Sequence, residues 1–298
     1  IHNKMYEEIL KNNPTVWIWG GDIIYADTDN MKLMQQYYNQ VKNDTNYVKL
    51  NNNVDILGTW DDHDFGVNDG GEEYSKKDSA QQLFLDFFDV KKDDIRRQQK
   101  GVYSSKTYTI DSSKIKIILL DTRYFRTPLT KDPTGEKRYI PDTTSSATIL
   151  GDEQWKWLQN ELTTSKADYN IIMSSIQFLS YKHGFETWGN MPKEVKKLKN
   201  LLVESKAKNV IILSGDRHIS EISSTDIKGL SYPLIDFTSS GLTHSYTSYT
   251  FEPNNYRKTN VVKDKSFGIL KFDLKNKIVL MEIRGLNNKL YQSYKQQY

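Results

Sequence analysis

The chain has 298 residues, 37% hydrophobic and 27% charged, which is enough to bury a full core in one large domain. Its 41 basic and 38 acidic residues are mixed along the sequence and leave a net charge of +3, so no single-sign surface for nucleic acid is expected. Cysteine is absent, which excludes disulfides, thiolate zinc sites and a cysteine nucleophile within these residues; any metal must use oxygen or imidazole ligands. No apolar run reaches membrane-spanning length. The first residue is Ile1 rather than Met, so a processed chain is expected, extracytoplasmic (secreted or periplasmic) after loss of a targeting segment.

In chain order, a helix is predicted over His2 to Asn12, closed off by Pro14, followed by the run Val16, Trp17, Ile18, Trp19. That run is apolar on both faces, which suits a central parallel strand covered by helices. Helical patterns recur at Met31 to Lys42, Ser79 to Phe88, Glu153 to Leu162 and Lys193 to Glu204. Strand-like runs recur at Val54 to Leu57, Ile115 to Leu120, Tyr169 to Met173 and Val210 to Leu213, and this alternation predicts an α/β fold. From Tyr232 onward, Leu234 to Thr238, Phe267 to Phe272 and Lys277 to Ile283 read as strands joined by short turns, partly antiparallel. Two stretches without periodicity, Thr127 to Ser146 and His244 to Asn260, read as long loops of the kind that often carry function.

The polar residues that follow the apolar strands carry the chemistry, because loops beyond the carboxyl ends of parallel strands converge on one crevice. The first strand runs into Gly21, Asp22 and Tyr25; the second into Asp61, Asp62, His63 and Asp64; the third into Asp121 and Arg123. The fourth reaches Ser174, Ser175 and Gln177, and the fifth Asp216, Arg217 and His218. In TWDDHDFGVNDGG, Thr59 to Gly71, several carboxylates crowd a histidine, and such crowding favours a cation over mutual repulsion. A solvated acidic loop is the plainer alternative. In LSGDRHISE, Leu213 to Glu221, Asp216 and His218 stand two apart, a spacing that in extended backbone turns both towards one ion. In WIWGGDIIYAD, Trp17 to Asp27, Asp22 precedes Tyr25 by three residues; a phenolate suits a strongly Lewis-acidic ion such as ferric iron, and a carboxylate can bridge two ions.

GGDIIYAD, GTWDDHDFGVNDGG, LLDTRYFR and SGDRHISE, in this order, resemble the alkaline phosphatase D group of the metallophosphoesterase superfamily, over about Asn12 to Glu221. The resemblance implies an α/β fold with mixed β-sheets in a four-layer α-β-β-α sandwich, a single domain over residues 1–298 without the family's first strand. That strand usually carries a Gly-Ser-Cys segment whose cysteine can ligate iron. The resemblance also implies a ligand set. Asp22 matches the metal-bridging aspartate and Tyr25 the iron-binding tyrosine of purple acid phosphatase relatives. Asp62 stands where a metal-binding asparagine is usual, and His63 where a histidine faces the leaving group. Asp216 and His218 take the place of two metal-binding histidines, and the aspartate hardens the site towards ions such as calcium. Asn68, Asp121 and Arg123 belong to the group's own signature as ligand or phosphate contacts, and Arg217 is a phosphate clamp by virtue of its planar fork.

The expected activity is hydrolysis of a phosphoester by in-line attack of a metal-bound water or hydroxide, with two or more ions, ferric iron with calcium, or zinc, manganese or magnesium. His63 would serve the leaving alkoxide, Arg217 and Arg123 the non-bridging oxygens, and His183 is a further substrate contact. One alternative is a diesterase acting on phospholipid or teichoic-acid-like polymers admitted by the two long loops; another is a non-catalytic, metal-dependent binding protein. No nucleic-acid partner is expected.

Overall fold

The computed structural model describes residues 3–298; His2, the predicted start of the first helix, lies outside them. The elements, in chain order, are α1 (Met5–Leu10), β1 (Val16–Gly20), α2 (Met31–Lys42), α3 (Thr45–Asn53), β2 (Asp55–Thr59), α4 (Asp62–Phe65), α5 (Lys77–Phe87), β3 (Ser104–Ile110), β4 (Ser113–Leu119), α6 (Gly151–Thr163), β5 (Tyr169–Met173), α7 (Pro192–Ser205), β6 (Val210–Ser214), β7 (Ser220–Thr225), β8 (Leu234–Ser239), β9 (Ser266–Asp273), β10 (Ile278–Gly285) and β11 (Leu290–Gln297).

Strand alternation builds the layers. In β1, Trp17 and Trp19 pack against the core formed with α1, α2, α3 and α5, whereas Val16 and Ile18 turn to the opposite face. The apolar character on both faces therefore has two causes: helices cover one face, and a second sheet covers the other. That second sheet has six strands in the order β3-β4-β5-β6-β8-β7, with β4, β5, β6 and β8 parallel and the edge strands β3 and β7 antiparallel to their neighbours. Its inner residues, among them Ile117, Ile171, Ile211 and Phe237, meet Val279, Met281 and Ile283 of β10 in one buried cluster. Its outer residues, Ile118, Ile172 and Ile212, pack under Leu158 of α6 and Leu198 of α7. Helix, sheet, sheet, helix is the result. The mixed α/β fold expected from the sequence is the fold observed.

The strands that end at the site do not lie in one sheet. β1 and β2 pair in parallel, whereas β4, β5 and β6 are parallel in the facing sheet. The polar ends meet across the sandwich. Ser175 after β5 donates to Asp61 after β2 at 2.7 Å, and Thr59 at the end of β2 donates to the Leu120 carbonyl beyond β4 at 2.6 Å.

β1 pairs with β2, and β9 with β10, in separate sheets of two and three strands. Between them lies a cavity of about 150 Å³ lined by Val16, Ile18, Gly20, Phe267 and Leu270, and it opens onto Asp22.

Candidate metal centre

Tight turns aim the acidic side chains. Asp22, Asp216 and His218 all have positive φ, at 53, 64 and 52°, a tight-turn conformation that aspartate and histidine adopt more readily than most side-chain-bearing residues. Gly21 (φ 104°) lets the first turn press against Asp61, where a side-chain Cβ would come within 2.2 Å of the Asp61 Cβ. Asp64 caps the second loop, accepting the Asp61 N–H at 2.6 Å and the Ile23 N–H at 3.3 Å, and so ties the Asp22 turn to the Asp62 turn.

One group of ligand-capable atoms comprises Asp22, Asp62 and His63. His218 Nε2 lies 3.5 Å from Asp22 Oδ2, and Tyr25 Oη lies 3.1 Å from that nitrogen and 3.3 Å from that oxygen. The second Asp22 oxygen, Oδ1, is buried without a hydrogen-bond partner. Burial raises the Asp22 pKa above the usual carboxylate range, with His218 opposing the rise and Asp62 adding to it. Asp62 is held below that range: burial works against its charge, but Arg123, His63 and the backbone N–H groups of Asp69 and His63 outweigh it. Burial also pushes His63 down, yet Asp62, Asp22 and Asp27 together leave it raised.

A second group comprises Asp62, Asp69, Glu186 and Asp216. Its charge is already partly met by arginine. Glu186 receives Arg123 at 2.6 Å and Arg126 at 3.0 Å, and Asp69 receives Arg138 at 2.5 Å and the Tyr139 hydroxyl at 2.7 Å. Asp216 remains well above the usual range, through burial first and the neighbouring Asp62 and Glu186 next. In the first group, no arginine or lysine among the described residues is bound to Asp22. It therefore has the stronger need of a cation.

The backbone at Asp216 and His218 is not extended as expected: both have positive φ in the segment between β6 and β7, where Asp216 is grouped with Asp62, Asp69 and Glu186, and His218 lies beside Asp22 and Tyr25. Arg123 is fully buried, its Nε 2.6 Å from Asp61 Oδ1 and its Nη1 on Glu186. It is turned into the protein rather than towards solvent, so the structure gives it carboxylates to hold and no open face for a phosphate. Asp121 accepts the N–H groups of Val102, Arg123 and Tyr124 at 2.8–2.9 Å and belongs to neither ligand group; it shapes the turn that carries Arg123. Asn68 is exposed on the same loop as Asp62.

Arg217 is 7% exposed, donates to Glu252 at 2.6 Å and lies over the Phe185 ring, 4.2 Å from its centre; its Nε has no partner. His183 accepts the Phe185 N–H at 3.1 Å, and burial, with Arg217 adding to it, pushes its pKa down to about 3, so it is neutral at physiological pH. Both long loops reach the site. Arg138 and Tyr139 come from the first, and His244, whose ring lies 4.0 Å from that of Tyr25, and Glu252 from the second.

Asp69 and Glu186 were not singled out by sequence reasoning. Asp69 stands within the acidic run around His63, where a second carboxylate on the same loop was a usable signal. Glu186 stands alone in HGFETWGN, and only folding brings it to the cluster.

A sequence model of the PhoD-like phosphatases matches residues 2–282. The chain belongs to the PhoD-like phosphatase family. Alkaline phosphatase D of Bacillus subtilis (strain 168) is 25% identical over 229 residues, which are 70% of this chain and 39% of that protein. A solved structure of PhoD superposes with a TM-score of 0.77 at 18% identity, covering 99% of this chain and 65% of the other. The chain thus spans less than two thirds of the length of either, and the second likeness is one of fold.

Proposed function

We propose that this chain hydrolyses phosphoesters at the Asp22 centre by in-line displacement, water forming the new P–O bond as the leaving alkoxide departs. The observation that carries the reading is Asp22, which is grouped with Asp62 and His63: its Oδ2 lies beside His218 and Tyr25, its Oδ1 is buried and unpartnered, and among the described residues no lysine or arginine is bound to it. Family membership supports the reaction class. Asp22, Tyr25, Asp62 and His218 would hold one ion, for which this mixed phenol, imidazole and carboxylate set suits ferric iron; the oxygen-only set of Asp62, Asp69, Glu186 and Asp216 suits calcium. Zinc, manganese and magnesium are alternatives that the same donors accept. Bound ions supply a lowered pKa for water and neutralise charge developing on the phosphoryl group.

The protein's own groups do the rest. His63, raised by the surrounding carboxylates, delivers a proton to the leaving oxygen. Arg217 presents its unpartnered Nε–H to a non-bridging oxygen, with Glu252 and Phe185 fixing its plane. Arg123 acts one step back, by holding Asp61 and Glu186 in place. Asn68 would contact substrate at the exposed rim and His183 from beside Arg217, and Asp121 would act through the turn it shapes.

The test is turnover of matched chromogenic mono- and diesters by wild type and His63→Ala. Loss concentrated on esters with poor leaving groups supports the reading; equal turnover by the variant on those esters removes His63 from the role. Preference for the diester would favour a phospholipid-like or polymeric substrate.

A further inference from the structure

The loop from Asp22 to Thr28 holds His63 at more points than a ligand turn requires. Asp27 Oδ2 lies 2.7 Å from His63 Nδ1. The Ala26 N–H donates to the His63 carbonyl at 3.2 Å, and the Tyr25 ring packs on the imidazole with centres 4.5 Å apart. Beyond Asp27, the Tyr74 hydroxyl donates to the Thr28 carbonyl at 2.9 Å. Asp27 has φ 40°, and its carboxylate is 43% exposed yet directed at the imidazole.

We propose that Asp27 is a positioning residue for His63, fixing the imidazole with its proton on Nδ1 so that Nε2 is the nitrogen that faces the leaving oxygen. In a neutral imidazole one nitrogen donates and the other accepts, and a carboxylate at 2.7 Å from Nδ1 can only accept, so it selects the Nδ1–H form. When His63 gives its Nε2 proton to the departing alkoxide, the proton on Nδ1 stays in the Asp27 hydrogen bond and the imidazole is left neutral. The carboxylate does not take part in that transfer. It sets which nitrogen is available and keeps the ring from rotating.

This rests on the assignment of His63 to the leaving group, and the experiment separates the two. Nitrogen-15 correlation spectra of the neutral imidazoles in protein reloaded with diamagnetic zinc, tractable with five histidines, report the His63 tautomer directly. Wild type is expected to show Nδ1–H, Asp27→Ala to lose it, and Asp27→Asn, whose carbonyl can still accept, to keep it. Asp27→Gly serves in place of the alanine variant should the backbone not tolerate alanine at positive φ. In parallel, Asp27→Ala is expected to slow esters with poor leaving groups at least ~10-fold with KM within about twofold, and Asp27→Asn to recover most of that loss. An unchanged tautomer in Asp27→Ala, or an unchanged rate on esters that His63→Ala hydrolyses slowly, overturns the proposal. If His63→Ala itself leaves those esters unaffected, the assignment of His63 has failed instead.

Discussion

At Asp22 the requirements of the backbone and of the chemistry coincide: a left-handed turn after β1, permitted by Gly21, places one carboxylate beside His218 with its second oxygen buried and unpartnered and, among the described residues, no lysine or arginine bound to it. Asp22→Asn is expected to reduce bound metal and to lower turnover at least ~100-fold, checked by elemental analysis alongside kinetics. Arg123 makes the opposite kind of prediction. Because it is wholly buried between Asp61 and Glu186, Arg123→Ala leaves Asp61 without a cationic partner and Glu186 with Arg126 alone, and is expected to cost ~3–5 kcal/mol of stability, read by urea denaturation. At this scale Asp22, Asp62 and His63 were legible because their spacing after apolar strands is itself the signal. The second metal-capable group was legible only in part. Asp62 and Asp216 fell in recognisable clusters, while Asp69 was hidden by its acidic neighbours and Glu186 by having none. Arg123 was legible as important but not in its direction, since a guanidinium that holds carboxylates and one that holds phosphate look alike in sequence.

Elements with a strong apolar period were read closely: α2 falls on its expected residues, as does β5. Those missed lack such a period for definite reasons. Helix α3, TNYVKLNNN, ends in three asparagines and is started by the Asp44 side chain, which accepts the Asn46 and Tyr47 N–H groups. Strand β7, SEISST, is buried yet mostly small and polar, and β3 and β11 are half-exposed edges. The short segment between β6 and β7 reads as extended but folds as a turn, because the chain must reverse to run antiparallel beside β8. In β8, Asp236 accepts the Phe178 and Leu179 N–H groups and the Ser214 hydroxyl, and burial pushes its pKa up to about 6 despite those donors. The folded state therefore binds this proton more tightly than the unfolded chain. The stabilisation is present below the unfolded pKa near 4 and is lost as pH rises through about 6, an effect of order ~3 kcal/mol. Denaturation of wild type and Asp236→Asn between pH 4 and 7 should show the wild type losing stability relative to the variant as pH rises; parallel curves would remove Asp236 as the cause.

On the scale of the whole molecule, the alternation of strands and helices gave the class of fold, but not that the converging strands divide between two sheets packed face to face. Period-two burial is the same whether a helix or a second sheet covers a face, so Val16 and Ile18 could not reveal that they meet β-strands. The division matters for function, because it places the Asp22 and Asp62 turns on one sheet and the Asp216 turn on the other, with Asp61, Arg123 and Ser175 joining them. The centre is thus a property of the sandwich and should disappear with it, so that loss of metal and global unfolding by urea are expected to share one midpoint.

The central claim is that the carboxylate and histidine turns of this PhoD-like phosphatase act on phosphoesters through ions that they hold. The most direct measurement is turnover of p-nitrophenyl phosphate and its bis ester by folded protein first stripped with chelator and then reloaded with iron and calcium. Turnover is expected to vanish on stripping, to return on reloading, and not to return in Asp22→Asn. Full turnover by stripped protein shown to be metal-free, or ions retained at wild-type affinity with no turnover on either ester, would contradict it.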